Sequence, residues 1–173
     1  MPRPGPHRAD LVDAIASAAV GTAWQRHFNL DELTRIREAG ALTGTELDLS
    51  LHSVQRDGHV ELEGELGGQL VLTCQRCLQP AVFALNEPIA LRVIRDEELA
   101  PAEGEHEYVV ADPTRLDLRW LSEEQALLAT PLVPMHEPDR CPQGDLLAAE
   151  ETEAEPSVAQ SPFANLRDML KKS

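Results

Sequence analysis

From residue 45 onward the chain alternates between apolar and polar residues with the two-residue period of a half-buried β-strand. Leu47, Leu49 and Leu51 occupy every second position, and acidic or small polar residues lie between them. One face of this strand should therefore be buried and the other should face solvent. Asp57 and Gly58 follow the strand as a two-residue hairpin signal. The pattern predicts an antiparallel hairpin that begins near residue 45.

Further strands are predicted beyond this hairpin. Gly67 and Gly68 are interpreted as a second turn, which would separate residues 60–63 from a third strand at residues 70–72. Residues 81–94 are rich in aliphatic residues and predict a further long or broken strand. The resulting prediction is an antiparallel β-meander with a Cys-x-x-Cys motif at the hairpin turn before its last strand.

Three segments carry helix signals. Residues 11–28 predict a helix from their alanine content, and residues 31–37 predict a short helix with Asn29 as its cap. Asp117 should cap a third helix that runs from residue 118 to about residue 130, where a proline follows. Together these elements predict an α+β fold, in which an antiparallel meander is flanked by short helices.

The length of 173 residues suits one domain with appendages. We expect a disordered N-terminus over residues 1–10 and a single α+β domain over residues 11–143. Residues 96–107 form an acidic insertion inside that domain. An acidic, alanine-rich linker should follow at residues 144–160, and a C-terminal docking helix at residues 161–173.

The C-terminal segment has a complete set of helix signals. Ser161 is a possible N-cap, a proline follows it, and two lysines lie near the end. Phe163, Leu166 and Leu170 recur at helical spacing and would form one apolar face. That face either packs on the chain's own domain or binds a partner, and the sequence favours neither.

The charge is strongly acidic. With 15 basic and 30 acidic residues, the net charge is −15, and aromatic residues make up only 3% of the chain. Residues 95–107 hold six acids against one arginine, and residues 137–160 hold seven against one. Such segments are either solvated loops or a docking surface for a basic protein. Direct RNA binding is disfavoured, because polyanions are repelled and few side chains can stack on bases.

The cysteine count and the hydropathy predict a reducing compartment. The three cysteines are an odd number, which argues against a disulfide scaffold. Asp10 and Asp13 lie where a secretory signal would need uninterrupted basic charge, and no apolar run approaches the length of a membrane span. We therefore expect a cytoplasmic protein.

The cysteines offer a possible metal site. Cys74 and Cys77 have the two-residue separation with which one turn supplies two ligands to a structural zinc. His136 and Cys141 are the candidates for the other two ligands, which would give a Cys3His site. The alternatives are a structural turn without metal and a redox pair. The redox interpretation fits least, because redox motifs of this kind lie at a helix N-terminus.

Other catalytic motifs are missing from the sequence. There is no phosphate-binding glycine loop, nucleophile elbow or metalloprotease motif. Glu61 and Glu63 project to the same side of a strand, which is typical of a solvated sheet face. We predict that the protein is not an enzyme. The alternative classes are a zinc-dependent RNA-processing enzyme and a thiol redox module.

Several motifs in fixed order resemble one family. These motifs are Cys74-Gln75-Arg76-Cys77-Leu78 with Pro80, the run from Asp117-Leu118 to Pro131-Leu132-Val133-Pro134-Met135-His136, Cys141, and Pro162-Phe163-Ala164 with Leu166. On these residues the chain resembles the YceD family, the large ribosomal RNA subunit accumulation proteins, from about residue 33 to residue 172.

The resemblance implies a role in ribosome biogenesis, namely the synthesis, processing or stability of 23S rRNA. It also implies a link to ribosomal protein L32, because in many bacteria the genes of the two proteins are neighbours. An RNA-binding factor needs basic charge to displace counterions from phosphates, whereas this chain carries −15. We therefore expect an indirect action on rRNA through a basic ribosomal protein, with L32 as a candidate.

Overall fold

The computed structural model describes residues 10–97, 107–137 and 140–141. Three of the predictions above lie outside these residues: the disordered N-terminus apart from Asp10, the linker at 144–160, and the C-terminal helix with Phe163, Leu166 and Leu170. Most of the acidic insertion also lies outside. In chain order the described elements are β1 (Leu11–Val12), α1 (Ala14–Val20), β2 (Ala23–Asn29), α2 (Thr34–Glu38), β3 (Glu46–Arg56), β4 (His59–Thr73), β5 (Pro80–Ile94), β6 (Tyr108–Val110), β7 (Leu116–Asp117) and α3 (Leu118–Ala129).

Five of the strands form one sheet in the order β2-β3-β4-β5-β6. Strands β2 to β5 are antiparallel neighbours, and β6 pairs in parallel with the end of β5. Strands β1 and β7 form a separate antiparallel pair. The predicted α+β fold with a largely antiparallel sheet and short helices is thus confirmed.

The predicted hairpin between β3 and β4 is confirmed. Asp57 and Gly58 have φ angles of 50° and 81°, as the mirror-image turns that suit a twisted hairpin require. The alternation before the turn is also confirmed, since Leu47, Leu49 and Leu51 are at most 2% exposed. The local turn chemistry and the period of the strand therefore specify this part of the fold.

The prediction of a second turn at Gly67 and Gly68 is wrong. Strand β4 runs without interruption through both glycines, which pair with β3 on one side and β5 on the other. Gly68 has a φ angle of 122°, and a Cβ placed on it would overlap the Glu46 carbonyl oxygen. Glycine at this position allows a distortion within the strand and the close approach of a neighbouring backbone. In the sequence, such a glycine cannot be distinguished from one that forms a turn.

The prediction of a helix over residues 11–28 is wrong in its second half. Helix α1 ends at Val20, its C-cap Gly21 has the left-handed conformation, and residues 23–29 form the edge strand β2. Trp24 and Phe28 in β2 are buried, and the residues beside them are exposed. The alanine content correctly predicted only the helical part of this segment. In the remaining residues, pairing with β3 decides the structure.

The short helix predicted at residues 31–37 forms as α2, but the prediction of Asn29 as its cap is wrong, because the N-cap is Leu33. Asn29 lies outside it and accepts the Asp31 N–H at 3.0 Å, so it stabilises the turn that precedes the helix. Helix α3 follows the prediction closely, because the Asp117 carboxylate accepts the N–H groups of Arg119 and Trp120 at 3.1 Å.

The core lies on one face of the sheet. Helix α1 packs against β3 and β4, and α3 packs against β4 and β5. Helix α3 also contacts α2, with Glu123 at the contact. The Glu123 carboxylate is buried and accepts the Arg35 N–H at 2.6 Å. Burial raises the pKa of Glu123, although hydrogen bonds from the N–H groups of Arg35 and Ile36 partly offset this effect.

Glu123→Gln should therefore stabilise the fold at pH 7.5 and have less effect near pH 5. A carboxyl group with a raised pKa binds its proton more tightly in the folded state, so its burial costs stability at neutral pH and this cost falls as the pH is lowered. The amide oxygen of glutamine can still accept the Arg35 N–H. Thermal unfolding of both proteins at the two pH values checks this, and a variant equally destabilised at both would contradict it.

Candidate metal centre

The Cys-x-x-Cys motif lies at the hairpin turn between β4 and β5, as predicted. Strand β4 ends at Thr73 and β5 begins at Pro80. The Cys74 N–H donates to the Gln79 carbonyl oxygen at 2.9 Å, and the Leu78 N–H donates to the Cys74 carbonyl oxygen at 2.9 Å. These two bonds close a tight turn in which both cysteines are buried.

The segment after α3 brings His136 to this turn. Helix α3 ends before Pro131, and the chain continues as an irregular segment, residues 131–136, which bends at Leu132 and Val133. The Gln75 N–H donates to the Pro134 carbonyl oxygen at 2.8 Å. This backbone bond joins the segment to the turn, although the two are far apart in the sequence.

The ring of His136 has a defined tautomer. Its Nε2 lies 3.1 Å from the Pro80 carbonyl oxygen, which can only accept, so Nε2 carries the proton. In the neutral ring, Nδ1 is then the acceptor, and it lies 3.4 Å from the Cys77 Sγ. Metal-binding histidines are commonly oriented by such a bond from the other ring nitrogen to a backbone carbonyl.

The Cys74 thiol is surrounded by hydrogen-bond donors. It is fully buried, and the His136 N–H donates to its Sγ at 3.4 Å. Burial opposes ionisation, but the N–H groups of Cys77, His136 and Arg76 and the Cys77 thiol outweigh it and lower the pKa of Cys74 to about 5. Because a metal binds the thiolate, this environment favours the form of Cys74 that acts as a ligand.

The four predicted ligands lie together. Their ligand atoms are all within 4.8 Å of one another, and the three cysteines are at most 7% exposed. A tetrahedral zinc with Zn–S of about 2.3 Å and Zn–N of about 2.0 Å places its ligand atoms about 3.5–3.8 Å apart. The residues of this group are Cys74, Cys77, His136 and Cys141.

This group fits zinc in the chemistry of its ligand atoms. Three thiols and one imidazole are a donor set of structural zinc sites, whereas magnesium and calcium require oxygen ligands. None of the three cysteines forms a disulfide, and all lie among the described residues. The arrangement could therefore hold a zinc ion with four protein ligands.

Two features of this site have no clear signal in the sequence. Leu78 has a φ angle of 60°, a left-handed conformation that a side chain disfavours, and it is 71% exposed. The backbone carbonyl of Pro80 orients the His136 ring. Because any residue at position 80 would supply this carbonyl, the side chain of Pro80 gives no sign of the contact. Only the position of Pro80 beside the motif draws attention to it.

The acidic pair on the sheet face has a structural role. Glu61 Oε1 accepts from Arg92 Nη2 at 3.0 Å, and Glu61 Oε2 accepts from Arg56 Nη1 at 3.2 Å. The Arg92 hydrogen bond is the main reason that the pKa of Glu61 is lowered. Arg56 also forms an ion pair with Glu63. These contacts hold Glu61 ionised in a cross-strand network, as expected for a charged sheet face.

Comparison with known proteins agrees with these motifs. A family model described as large ribosomal RNA subunit accumulation protein YceD matches residues 62–170, a span that includes all four candidate ligands. No solved structure matches the chain. In the part of the chain that the structure describes, no helix is long and apolar enough to cross a membrane. Because the family model covers more than half of the sequence, the chain belongs to the YceD family of large ribosomal RNA subunit accumulation proteins.

Proposed function

We propose that this chain supports the synthesis, processing or stability of 23S rRNA without catalysis, by holding a basic protein of the large ribosomal subunit. Its family concerns accumulation of the large ribosomal RNA. The observation that carries the proposal is the net charge of −15. Such a surface attracts basic proteins and repels RNA over roughly 8 Å at physiological salt. The action on rRNA is therefore indirect, and it takes place in the cytoplasm.

In this proposal a zinc ion has a structural role. Four protein ligands leave no open position for the water that a catalytic zinc would activate. The ion, held by Cys74, Cys77, His136 and Cys141, would fix residues 131–136 against the β4–β5 turn. This role favours a binding protein over a zinc-dependent RNA-processing enzyme.

A redox function is less well supported by the same geometry. Reactive cysteines lie in partly exposed positions, because a second thiol or disulfide must reach them. Cys74 is fully buried and Cys77 is 3% exposed. Their burial therefore suits metal ligands better than attacking nucleophiles, although the pKa of Cys74 is lowered.

The partner would be bound by the acidic segments and by the C-terminal apolar residues. The seven acids of residues 137–160 lie beside a single arginine in the sequence and would neutralise lysines and arginines of the partner. Phe163, Leu166 and Leu170 would supply apolar contacts if they form a helix. Ribosomal protein L32 is a candidate for this partner.

The test is affinity purification of the full-length chain from cells at moderate salt, with both protein and RNA identified. We expect the chain to retain a basic large-subunit protein that stays bound after nuclease treatment. Deletion of residues 161–173 should reduce the amount of this protein that is captured. Binding to purified L32 and to naked 23S rRNA should then be compared directly. Tight retention of naked 23S rRNA at physiological salt, without any ribosomal protein, would overturn the proposal.

A further inference from the structure

Exposed apolar side chains are concentrated beside the candidate metal centre. Ten large apolar side chains are exposed among the described residues, and four of them lie on the two short segments 74–79 and 131–136. Leu132 is 99% exposed. Single exposed apolar residues are ordinary, whereas a group of them marks an interaction surface. We call this group the apolar rim; it consists of Leu78, Leu132, Val133 and Met135.

The two segments of the apolar rim are held to each other. The Gln75 N–H donates to the Pro134 carbonyl oxygen at 2.8 Å, and the His136 N–H donates to Cys74 Sγ at 3.4 Å. The Arg76 guanidinium also lies 4.0 Å from the sulfur of Met135. These contacts pre-organise the apolar side chains, which lowers the entropy cost of binding.

Leu78 is unfavourable for the isolated chain in two respects. Its φ angle of 60° is one that glycine adopts with little strain and leucine does not. Its side chain is also 71% exposed, so the strain is not offset by burial. A leucine at this position lowers the stability of the isolated chain, both by its backbone conformation and by its exposed side chain. Its presence is explained if the side chain contributes to binding a partner.

We propose that the apolar rim is a docking surface for a basic protein. The contacting surface of that protein would carry apolar side chains among its lysines and arginines. The charge of the chain selects the occupant, because residues 137–160 directly follow the rim and hold seven acids against one arginine. A polyanion such as RNA would be repelled from this region. This inference rests on the proposed function and adds the place where the partner binds.

The test uses the full-length chain and purified large-subunit proteins freed of RNA, with each retained protein identified. The variants are Leu78→Gly and Leu132→Ser, and the control is Val20→Ser, which changes a residue of α1 that is 76% exposed. Leu78→Gly is informative because it relieves backbone strain, so lost binding cannot be attributed to unfolding. Circular dichroism and thermal unfolding should show that all three variants fold.

We expect the original chain to retain a basic protein, and each rim variant to bind it at least about tenfold more weakly, as for residues central to an interface. Val20→Ser should bind like the original chain. If the folded rim variants bind as tightly as the original, the rim is not the docking surface, although the proposed function stands. If the original chain retains no basic protein, or binds naked 23S rRNA in a parallel experiment, both proposals fail.

Discussion

Cys74→Ser should release zinc from the purified protein and lower its melting temperature by roughly 8–16 °C. Zinc bound at about a thousand times its dissociation constant stabilises a fold by about 4 kcal/mol, and this contribution disappears with the site. Cys74 is fully buried and its Sγ accepts the His136 N–H, so serine would provide a poorer ligand in the same place. Elemental analysis and thermal unfolding measure the two effects.

Loss of zinc should also loosen the structure locally, at the β4–β5 turn. The Gln75 N–H donates to the Pro134 carbonyl oxygen, and this bond should open more often when the ion no longer holds residues 131–136. Faster hydrogen exchange at Gln75 would report this opening. Gln75→Ala is the matched control for zinc content, because the exposed Gln75 side chain donates to the Thr73 carbonyl oxygen at the end of β4 and is not one of the candidate ligands. A Cys74→Ser protein with unchanged zinc content would contradict the assignment of this ligand.

Gly64→Ala should destabilise the sheet by about 3 kcal/mol or more, which lowers the melting temperature by roughly 6–12 °C. A Cβ on Gly64 would overlap the Ser50 carbonyl oxygen and lie 2.9 Å from the Leu51 Cα. Both atoms belong to the backbone of β3, which cannot move aside without breaking its pairing with β4. Denaturant or thermal unfolding measures the effect.

Gly67→Ala is the control for this change. It lies on the same strand, has an ordinary φ angle, and a Cβ there would meet no atom closer than 3.9 Å. Alanine should be tolerated, or should stabilise by up to about 1 kcal/mol, because it restricts the unfolded chain. Equal destabilisation by the two substitutions would show that close approach of β3 is not the reason for glycine at position 64.

The features predicted correctly from the sequence are those that local chemistry determines. The turn at Asp57 and Gly58 and the helix cap at Asp117 depend on residues adjacent to them. Where long-range pairing decides, prediction failed: residues 23–29 form a strand because β3 pairs with them, and Gly67 and Gly68 remain within β4. In these places local propensity is weaker than the packing of neighbouring strands.

The candidate metal centre was predictable in its residues but not in its geometry. The spacing of Cys74 and Cys77 indicated a pair of ligands, but His136 follows Cys77 by 59 residues. Their proximity depends on where α3 ends and on the bond to Pro134, which no short motif encodes. The left-handed conformation of Leu78 was equally hidden, because leucine does not signal such a backbone.

X-ray absorption at the zinc edge of the purified full-length protein tests the central claim most directly, together with its metal content. If the centre is a structural zinc site, we expect one zinc per chain, with three sulfur ligands at about 2.3 Å and one nitrogen ligand at about 2.0 Å. The corresponding residues are Cys74, Cys77, Cys141 and His136. Protein without metal, or zinc with a water oxygen among its ligands, would contradict a closed structural site.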